Sequence, residues 1–275
     1  MYQLESELEI ASMSKSNQKQ KALKIIAEFR MFDDTFMSAV FDKRIAETQF
    51  LIQTILGRDD ITVISSKAQY TIHNIYGRET RLDILAKDKD GRIYHFEVQR
   101  NLSGASTRRA RFTGALVDIG LLKKGQPFHE LPERYTIFIT QRDKFGKGLP
   151  VYHAEYKITE LDNEPLGDGS YIFYVNGEFR NTDIPIGQLM HDFSCVNSDD
   201  IINPLLRERV KYLKETDGGR EKMCELMENW INEEKIELAK KALAKGDLTI
   251  EQIADVLELP QAFVQELAEA QTVYA

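Results

Sequence analysis

The spacing of apolar residues changes along the first part of the chain from a helical period to a strand period. Between residues 31 and 56, apolar residues recur every three or four positions, which predicts a single helix that ends at Gly57. Alternation of apolar and polar residues then runs over 62–65 and 69–76, and this period of two predicts strands. A helix followed by strands therefore begins the patterned part of the chain.

A second pair of alternating runs surrounds a turn sequence. Residues 81–87 and 92–100 flank DKDG, which is typical of a tight turn between antiparallel strands. A helix is predicted over 105–124, and the continuous apolar run 135–141 predicts a strand that is buried on both faces. Since a single helix separates the hairpin from that strand, we expect a crossover and a mixed sheet.

The rest of the chain changes from strand patterns to helical ones. Runs over 151–158 and 170–175 predict strands, and the sequence from Pro185 onward has helical spacing. The TDGG sequence at 216–219 is typical of a linker. We therefore expect three parts: a polar N-terminal arm (1–30), an α/β domain with a mixed central sheet flanked by helices (31–214), and a helical tail (215–275) with a helix-turn-helix-like end.

Composition is that of an ordinary soluble protein. The 275 residues are 42% hydrophobic and 29% charged, and no apolar run is long enough to span a bilayer. The first ten residues lack the basic and apolar regions of a secretory signal. Because Cys195 and Cys224 are far apart and form no zinc-binding spacing, we expect a reducing, cytoplasmic setting without membrane contact.

The acidic charge of the chain is concentrated in its tail. The chain holds 36 basic and 44 acidic residues, a net charge of −8. Residues 215–275 contain 14 acidic and 6 basic residues and account for all of that charge, so residues 1–214 are neutral. We expect the tail to pack or to form a homo-oligomer, while the neutral main domain can bind DNA.

Two acids and an amide share one face of the predicted hairpin. Strand alternation places Asp83 on the first strand, with Glu97 and Gln99 facing the same way on the second. Two carboxylates and a backbone carbonyl, for which Val98 is the natural candidate, suit Mg²⁺ or Mn²⁺. Such an ion can polarise a phosphodiester and activate water, and Gln99 is placed to orient that water or contact the phosphate.

Other interpretations of these residues are open. A hairpin with one solvated face would show the same acids, amide and histidine. His95 is a candidate base or hydrogen-bond partner beside Glu97, although a structural histidine is the commoner case. His191 and Cys195 have metal-ligand spacing, but no second pair accompanies them, so packing explains them better.

Four arginines follow Glu97 without an intervening acid. They run from the end of the strand into the next predicted helix, where they would lie beside the carboxylates and bind phosphates. A solvated helix end is the common alternative for such a cluster. We expect DNA contacts from Arg100, Arg108, Arg109 and Arg111.

Several segments in one order carry a family resemblance. They are RLDILAKDKDGRIYHFEVQR, TRRARF, LLKKGQPFHELPERYTIFIT, KGLPVYH, YVNG and LMHDF. Together they resemble the PD-(D/E)XK nuclease family transposases, of the Rpn recombination-promoting nuclease group, from about residue 31 to 214. The resemblance implies a restriction-endonuclease-like core and Mg²⁺-dependent DNA cleavage linked to transposition and recombination.

The resemblance also implies roles for particular residues. It maps the acids of the family motif onto Asp83 and Glu97 and the last motif position onto Gln99, where the wider superfamily has lysine. Loss of that positive charge predicts slow catalysis or dependence on a partner. The resemblance indicates Glu47 as the acid of the first core helix, with an exposed helix position as the alternative, and it makes Arg109 the first choice among the arginines.

Three functions are therefore open. The first is a metal-dependent DNA endonuclease, and the second is a nuclease-fold module that binds DNA or protein without effective cleavage. The third is a structural protein that dimerises through its tail. Metal binding that depends on Asp83 separates the first two, and truncation near Lys214 tests the third.

Overall fold

The structure, a computed structural model, describes residues 15–72 and 80–273. Within these ranges the chain forms two compact units, one spanning Ile25–Arg220 and the other made of the described residues on either side of it. No helix in the described ranges is long and apolar enough to cross a membrane. The larger unit contains the main sheet and all of the residues discussed below as a candidate site.

A mixed six-stranded sheet forms the centre of the larger unit. In spatial order its strands are β1 (Val63–Ile72), β2 (Thr80–Asp88), β3 (Ile93–Gln99), β4 (Arg134–Thr140), β8 (Ser170–Asn176) and β5 (Val151–Ala154). β4 is parallel to both of its neighbours, and the other pairs are antiparallel. Two short strands pair separately, so the predicted strand at 151–158 is divided: they are β6 (Lys157–Ile158) and β7 (Glu164–Pro165).

Helices pack on the sheet and form the tail. In the larger unit they are α2 (Asp34–Phe41), α3 (Ile45–Leu56), α4 (Thr107–Leu121), α5 (Pro185–Ser194) and α6 (Pro204–Glu215). The remaining helices are α1 (Lys15–Glu28), α7 (Asp217–Lys245), α8 (Ile250–Leu257) and α9 (Gln261–Val273). The predicted α/β class is confirmed, and the mixed sheet flanked by helices is consistent with a restriction-endonuclease-like core.

The single helix predicted over residues 31–56 is wrong, because the structure divides it into α2 and α3. Lys43 lies in the left-handed region with a φ of 56°. The preceding residue, Asp42, accepts a hydrogen bond at Oδ1 from the backbone N of Ala68 at 3.1 Å, which ties the break to β1. Both helices contact β1, so apolar spacing continues across the break and hides it in the sequence.

The hairpin predicted around DKDG is confirmed. β2 and β3 are antiparallel, and their ladder ends with Ile84 opposite Phe96. Gly91 in the turn has a φ of 89°, which glycine adopts without strain. The two strands predicted upstream are one strand, β1, as far as Ile72, and residues 73–76 of that prediction lie outside the described residues.

The predicted crossover between the hairpin and the buried strand is also confirmed. α4 connects β3 to the parallel strand β4, whose seven residues are all buried. Phe138 of β4 and Tyr174 of β8 stack with ring centroids 5.4 Å apart. Ala105 and Ala110 pack in the same cluster, so the core holds the start of α4 close to the carboxyl ends of the strands.

The linker predicted at 216–219 is wrong, because α7 begins at Asp217. A Cβ at Gly219 would collide with the backbone carbonyl of Tyr212. Glycine at this position therefore permits close approach of two helical segments instead of providing a flexible joint. In the tail, Thr249 and Gln252 form the predicted capping box of α8.

Candidate active site

Asp83 and Glu97 occupy matching positions where the hairpin ladder ends. The last ladder pair joins Ile84 to Phe96, so the next residue on each strand is one of the two acids. The exposed fraction is 7% for Asp83 and 0% for Glu97. The alternative of a solvated hairpin face is therefore wrong at these positions.

A backbone amide orients the carboxyl group of Asp83. Its Oδ2 accepts a hydrogen bond from the backbone N of Val98 at 2.6 Å. The charge of Asp34 also acts on it. The carboxyl group is thus held by β3, while the Val98 carbonyl as a metal ligand stays a prediction.

Glu97 is contacted on both carboxylate oxygens. The Nε2 of His95, itself fully buried, lies 3.0 Å from Oε1. Arg109 donates to Oε2 at 2.5 Å, and the amide nitrogen of Gln99 donates to the same oxygen at 3.4 Å. His95 is therefore a hydrogen-bond partner of the acid, and these contacts fix the orientation of Glu97 in the sheet.

Asp34, the first residue of α2, is a site residue that the sequence analysis missed. The residue remains exposed, but loss of hydration around its carboxyl group, followed by repulsion from Glu97, raises its pKa to about 6. The Asp33-Asp34 pair at the start of an apolar run was the available signal, since acids favour helix N-termini. The undivided helix predicted from residue 31 concealed it.

The charges of Asp34, Asp83 and Glu97 act on one another with incomplete compensation. Burial, followed by repulsion from Asp34 and Glu97, raises the pKa of Asp83 well above its usual range. The hydrogen bond from Val98 and the charge of Arg109 act in the opposite direction without cancelling the effect. A hard divalent cation between the carboxylate oxygens would relieve this repulsion, so the donor set fits Mg²⁺ or Mn²⁺.

Glu47, the acid proposed for the first core helix, has a different partner. It is buried in the first turn of α3, where Arg44 lies 2.6 Å from its Oε1. The acid of the helices whose charge acts on Asp83 is Asp34. The structure thus pairs Glu47 with Arg44 and brings Asp34 to the carboxylate pair.

Gln99 depends on a glycine for the position of its side chain. A Cβ at Gly104 would overlap the Oε1 of Gln99. The amide of Gln99 therefore lies in space that any residue other than glycine would fill. Gly104 is a second position missed by the sequence analysis, because nothing in the local pattern links it to Gln99.

The four arginines of the predicted DNA-binding cluster separate into two groups. Arg100 donates to Oδ1 of Asp33 at 2.7 Å, and Arg109 contacts Glu97. The remaining two, Arg108 and Arg111, line a separate pocket. Only the first group is joined to the acidic side chains near the hairpin.

His191, Asp192 and Cys195 form a compact group in the sheet-covering helices. Their potential ligand atoms lie within 4.8 Å of one another. Both oxygens of Asp192, however, accept hydrogen bonds from the backbone N atoms of Ile202 and Asn203, at 2.7 and 2.9 Å. Burial raises the pKa of the Cys195 thiol to about 11. With both Asp192 oxygens occupied by backbone N atoms, packing stays the interpretation of this group.

Comparison with known proteins adds one finding. A family model described as PD-(D/E)XK nuclease family transposase matches residues 42–181, slightly more than half of the chain. The matched segment includes the hairpin acids, Gln99 and all of α4. Comparisons with curated proteins and with solved structures gave no match.

Proposed function

Because this chain belongs to the PD-(D/E)XK nuclease family transposases, we propose that it is a Mg²⁺- or Mn²⁺-dependent DNA endonuclease that acts in transposition or recombination of mobile elements. The observation that carries the proposal is the group formed by Asp34, Asp83 and Glu97, in which burial and then mutual repulsion raise the pKa of two carboxyl groups, Asp34 and Asp83. Crowded acids are costly to folding, and such perturbed groups cluster at functional sites.

The acids are proposed to share the ion. Asp83, Glu97 and the carbonyl of Val98 would hold it, with Asp34 in place of Glu47 as the acid from the helices. When bound, Mg²⁺ polarises the scissile phosphodiester and lowers the pKa of the attacking water. The preference for this ion follows from an all-oxygen donor set.

The neighbouring side chains orient this group and the DNA. The Gln99 nitrogen donates to Glu97 at 3.4 Å, while its Oε1 lies against the backbone of Gly104. The role proposed for Gln99 is to orient Glu97 and the attacking water. Arg109 uses one N–H on Glu97 and has further N–H groups for a phosphate oxygen. We propose the other arginines, Arg100, Arg108 and Arg111, as further DNA contacts.

A plasmid-nicking assay in Mg²⁺ or Mn²⁺ tests the proposal. We expect Asp83→Asn and Glu97→Gln to abolish nicking, because each removes a charged ligand while keeping the shape of the side chain. Glu160→Gln is the matched control, since Glu160 is an exposed acid in the same unit. Nicking that survives in both Asp83→Asn and Glu97→Gln would overturn the site assignment.

The contact between Arg109 and Glu97 favours a second candidate, a nuclease-fold module that binds DNA or protein with little or no cleavage. An arginine at 2.5 Å already neutralises one proposed ligand, and Gln99 stands where a lysine would add positive charge. Calorimetry with Mn²⁺ separates the two candidates. Absence of any Mn²⁺ binding that Asp83→Asn removes, with DNA binding retained, supports the second.

We also propose a cytosolic location and homo-oligomerisation through the tail. The chain has two cysteines, Cys195 and Cys224, which are far apart in the sequence, and we propose a reducing cytosolic location on that composition. The tail carries a net charge of −8, which suits contact with protein better than contact with DNA. Size-exclusion chromatography of a chain ending near Lys214 tests whether the tail mediates homo-oligomerisation.

A further inference from the structure

A pocket of about 280 Å³ lies between α4 and the β5–β8 edge of the sheet. It is formed by residues of the larger unit alone. Its lining combines two cationic side chains with an acid, an aromatic ring and an apolar wall. These are Arg108, Arg111, Glu155, Tyr156 and Ile172.

The pocket and the carboxylate group adjoin the same helical turn. Arg108, which lines the pocket, and Arg109, which contacts Glu97, are consecutive residues near the start of α4. Successive helical residues point about 100° apart, so the two side chains leave the helix on neighbouring sides. A chain molecule bound in the pocket is thereby brought beside the candidate active site.

The two arginines of the pocket have no acidic partner among the residues that the structure describes. Arg108 and Arg111 are both exposed and are three positions apart, on one face of α4. Arg109, between them, is instead committed to Glu97. Two exposed guanidinium groups on one face that form no ion pair with a described carboxylate suit a phosphate group.

The other side of the pocket suits a nucleobase. The ring of Tyr156 is 55% exposed and makes no ring contact with another described aromatic residue, so its face is open to stacking. Ile172 supplies apolar surface, and Glu155 supplies a carboxylate that can accept from the exocyclic amine of a base. Phosphate and a planar base together are the chemistry of a nucleotide.

We propose that this pocket binds one nucleotide of a single DNA strand, with its phosphate on Arg108 and Arg111 and its base on Tyr156. The inference rests on the proposed function, because it names the form of DNA that the candidate active site receives. A base inside a duplex is stacked and paired, so it cannot enter a pocket of this kind without leaving the helix. The preferred substrate is therefore DNA with an unpaired segment beside the cleavage point.

Fluorescence anisotropy with a labelled twelve-nucleotide oligodeoxycytidylate, in EDTA, tests phosphate binding without cleavage. We expect the double variant Arg108→Ala/Arg111→Ala to bind at least tenfold more weakly. The slope of log affinity against log salt concentration should fall by about 0.7, because the two arginines hold one phosphate and each single-strand phosphate contact contributes about 0.7. The control Lys89→Ala/Lys211→Ala removes two exposed charges elsewhere in the unit and should change affinity less than twofold.

Substitution of the aromatic residue tests base stacking separately. We expect Tyr156→Ala to weaken binding about tenfold with an unchanged salt slope, because base stacking on an aromatic ring is worth about 1–3 kcal/mol. Tyr156→Phe keeps the ring and should bind like the wild type. Equal loss in Tyr156→Phe and Tyr156→Ala would overturn the stacking role.

Competition identifies the chemistry of the ligand. We expect deoxycytidine monophosphate to displace the oligonucleotide at concentrations at which inorganic phosphate and deoxycytidine do not. Displacement by phosphate at equal concentration would reduce the site to an anion site and overturn the nucleotide assignment. Binding of blunt duplex as tight as that of the single strand would overturn the unpaired-strand assignment.

Failure of this inference can be distinguished from failure of the proposed function. If the wild type nicks DNA and the Arg108→Ala/Arg111→Ala variant binds and nicks equally well, the pocket assignment is overturned and the endonuclease stands. If the wild type does not nick DNA while the Arg108→Ala/Arg111→Ala variant loses oligonucleotide binding, the pocket assignment stands and the endonuclease proposal is overturned.

Discussion

Two buried aspartates of the larger unit are compensated in different ways. Both oxygens of Asp192 accept hydrogen bonds from backbone N atoms. Asp83 accepts one such bond, from Val98, and otherwise meets two further carboxyl groups. Their exposed fractions, 0% and 7%, are similar, so burial alone does not mark a functional acid. The difference lies in whether the fold itself satisfies the charge.

The largest expected effect comes from removing the charge that the fold leaves unsatisfied. We expect Asp83→Asn to lower the nicking rate by about a thousandfold, on the scale of losing a key electrostatic group. In EDTA the same variant should have a higher free energy of unfolding, because repulsion from Asp34 and Glu97 is removed. Urea unfolding measures this change. A clear loss of stability in EDTA would show that repulsion at Asp83 does not destabilise the folded state.

Substitution of Asp192, whose two oxygens are hydrogen-bonded by the backbone, should lower stability and leave nicking unchanged. We expect Asp192→Ala to lower the free energy of unfolding by about 2–4 kcal/mol, because two buried N–H groups lose their acceptor. Nicking per folded molecule should be unchanged. Asp199→Ala is the control, since Asp199 is an exposed acid of the same segment. Equal stability of the two variants in urea would contradict the structural role.

Metal should stabilise the protein through the group formed by Asp34, Asp83 and Glu97, and not through Asp192. At a Mn²⁺ concentration a hundred times the Kd, we expect about 2.7 kcal/mol of added stability, because the ion binds the folded state. Thermal unfolding with and without EDTA measures it as a rise in Tm. The rise should be retained in Asp199→Ala and lost in Asp83→Asn. A rise that Asp83→Asn retains would place the ion elsewhere.

The pH dependence of stability should report the same repulsion. Asp34 has a pKa raised to about 6, so between its ordinary value of about 4 and pH 6 the folded state binds more protons than the unfolded state. Stability of the metal-free protein should therefore be highest in mild acid and fall as pH rises toward 6. Asp34→Asn should flatten this fall in urea titrations across that range. An unchanged slope would assign it to another group.

The smallest expected effect concerns the position of Gln99. Gly104→Ala adds a methyl group where the Oε1 of Gln99 lies, and the flexible side chain should move aside. We expect about a tenfold lower nicking rate, equivalent to about 1.4 kcal/mol, with Mn²⁺ affinity unchanged. Equal loss of metal affinity would show that the substitution disturbs the acids as well.

The sequence was sufficient to predict the hairpin and the positions of its two acids. Strand alternation and the DKDG turn placed Asp83 and Glu97 on one face of the hairpin, and the observed register brings them to matching positions. Their roles rest on the family resemblance and stay a prediction. The mixed sheet followed from the single helix between β3 and β4. These features depend on near neighbours in the chain, which is why pattern alone could predict them.

The missed features depend on contacts between distant segments. Asp34 reaches the site because a break at Lys43 divides an evenly spaced helical run, and that break is fixed by a hydrogen bond to β1. The separation of Arg108 from Arg109 depends on where the start of α4 rests on the sheet. At Gly219, a glycine that lets two helices approach closely looks the same in the sequence as a glycine of a flexible linker.

The short connection between the two acids also affects how the protein folds. Asp83 and Glu97 are 14 residues apart and belong to one hairpin, whereas Asp34 is 49 residues from Asp83. Hairpins form within about 1–10 μs, well before distant segments assemble. The two carboxylates therefore meet before Asp34 arrives, and their repulsion opposes formation of the hairpin. The charge that serves the site should slow folding, and mild acid should increase the folding rate.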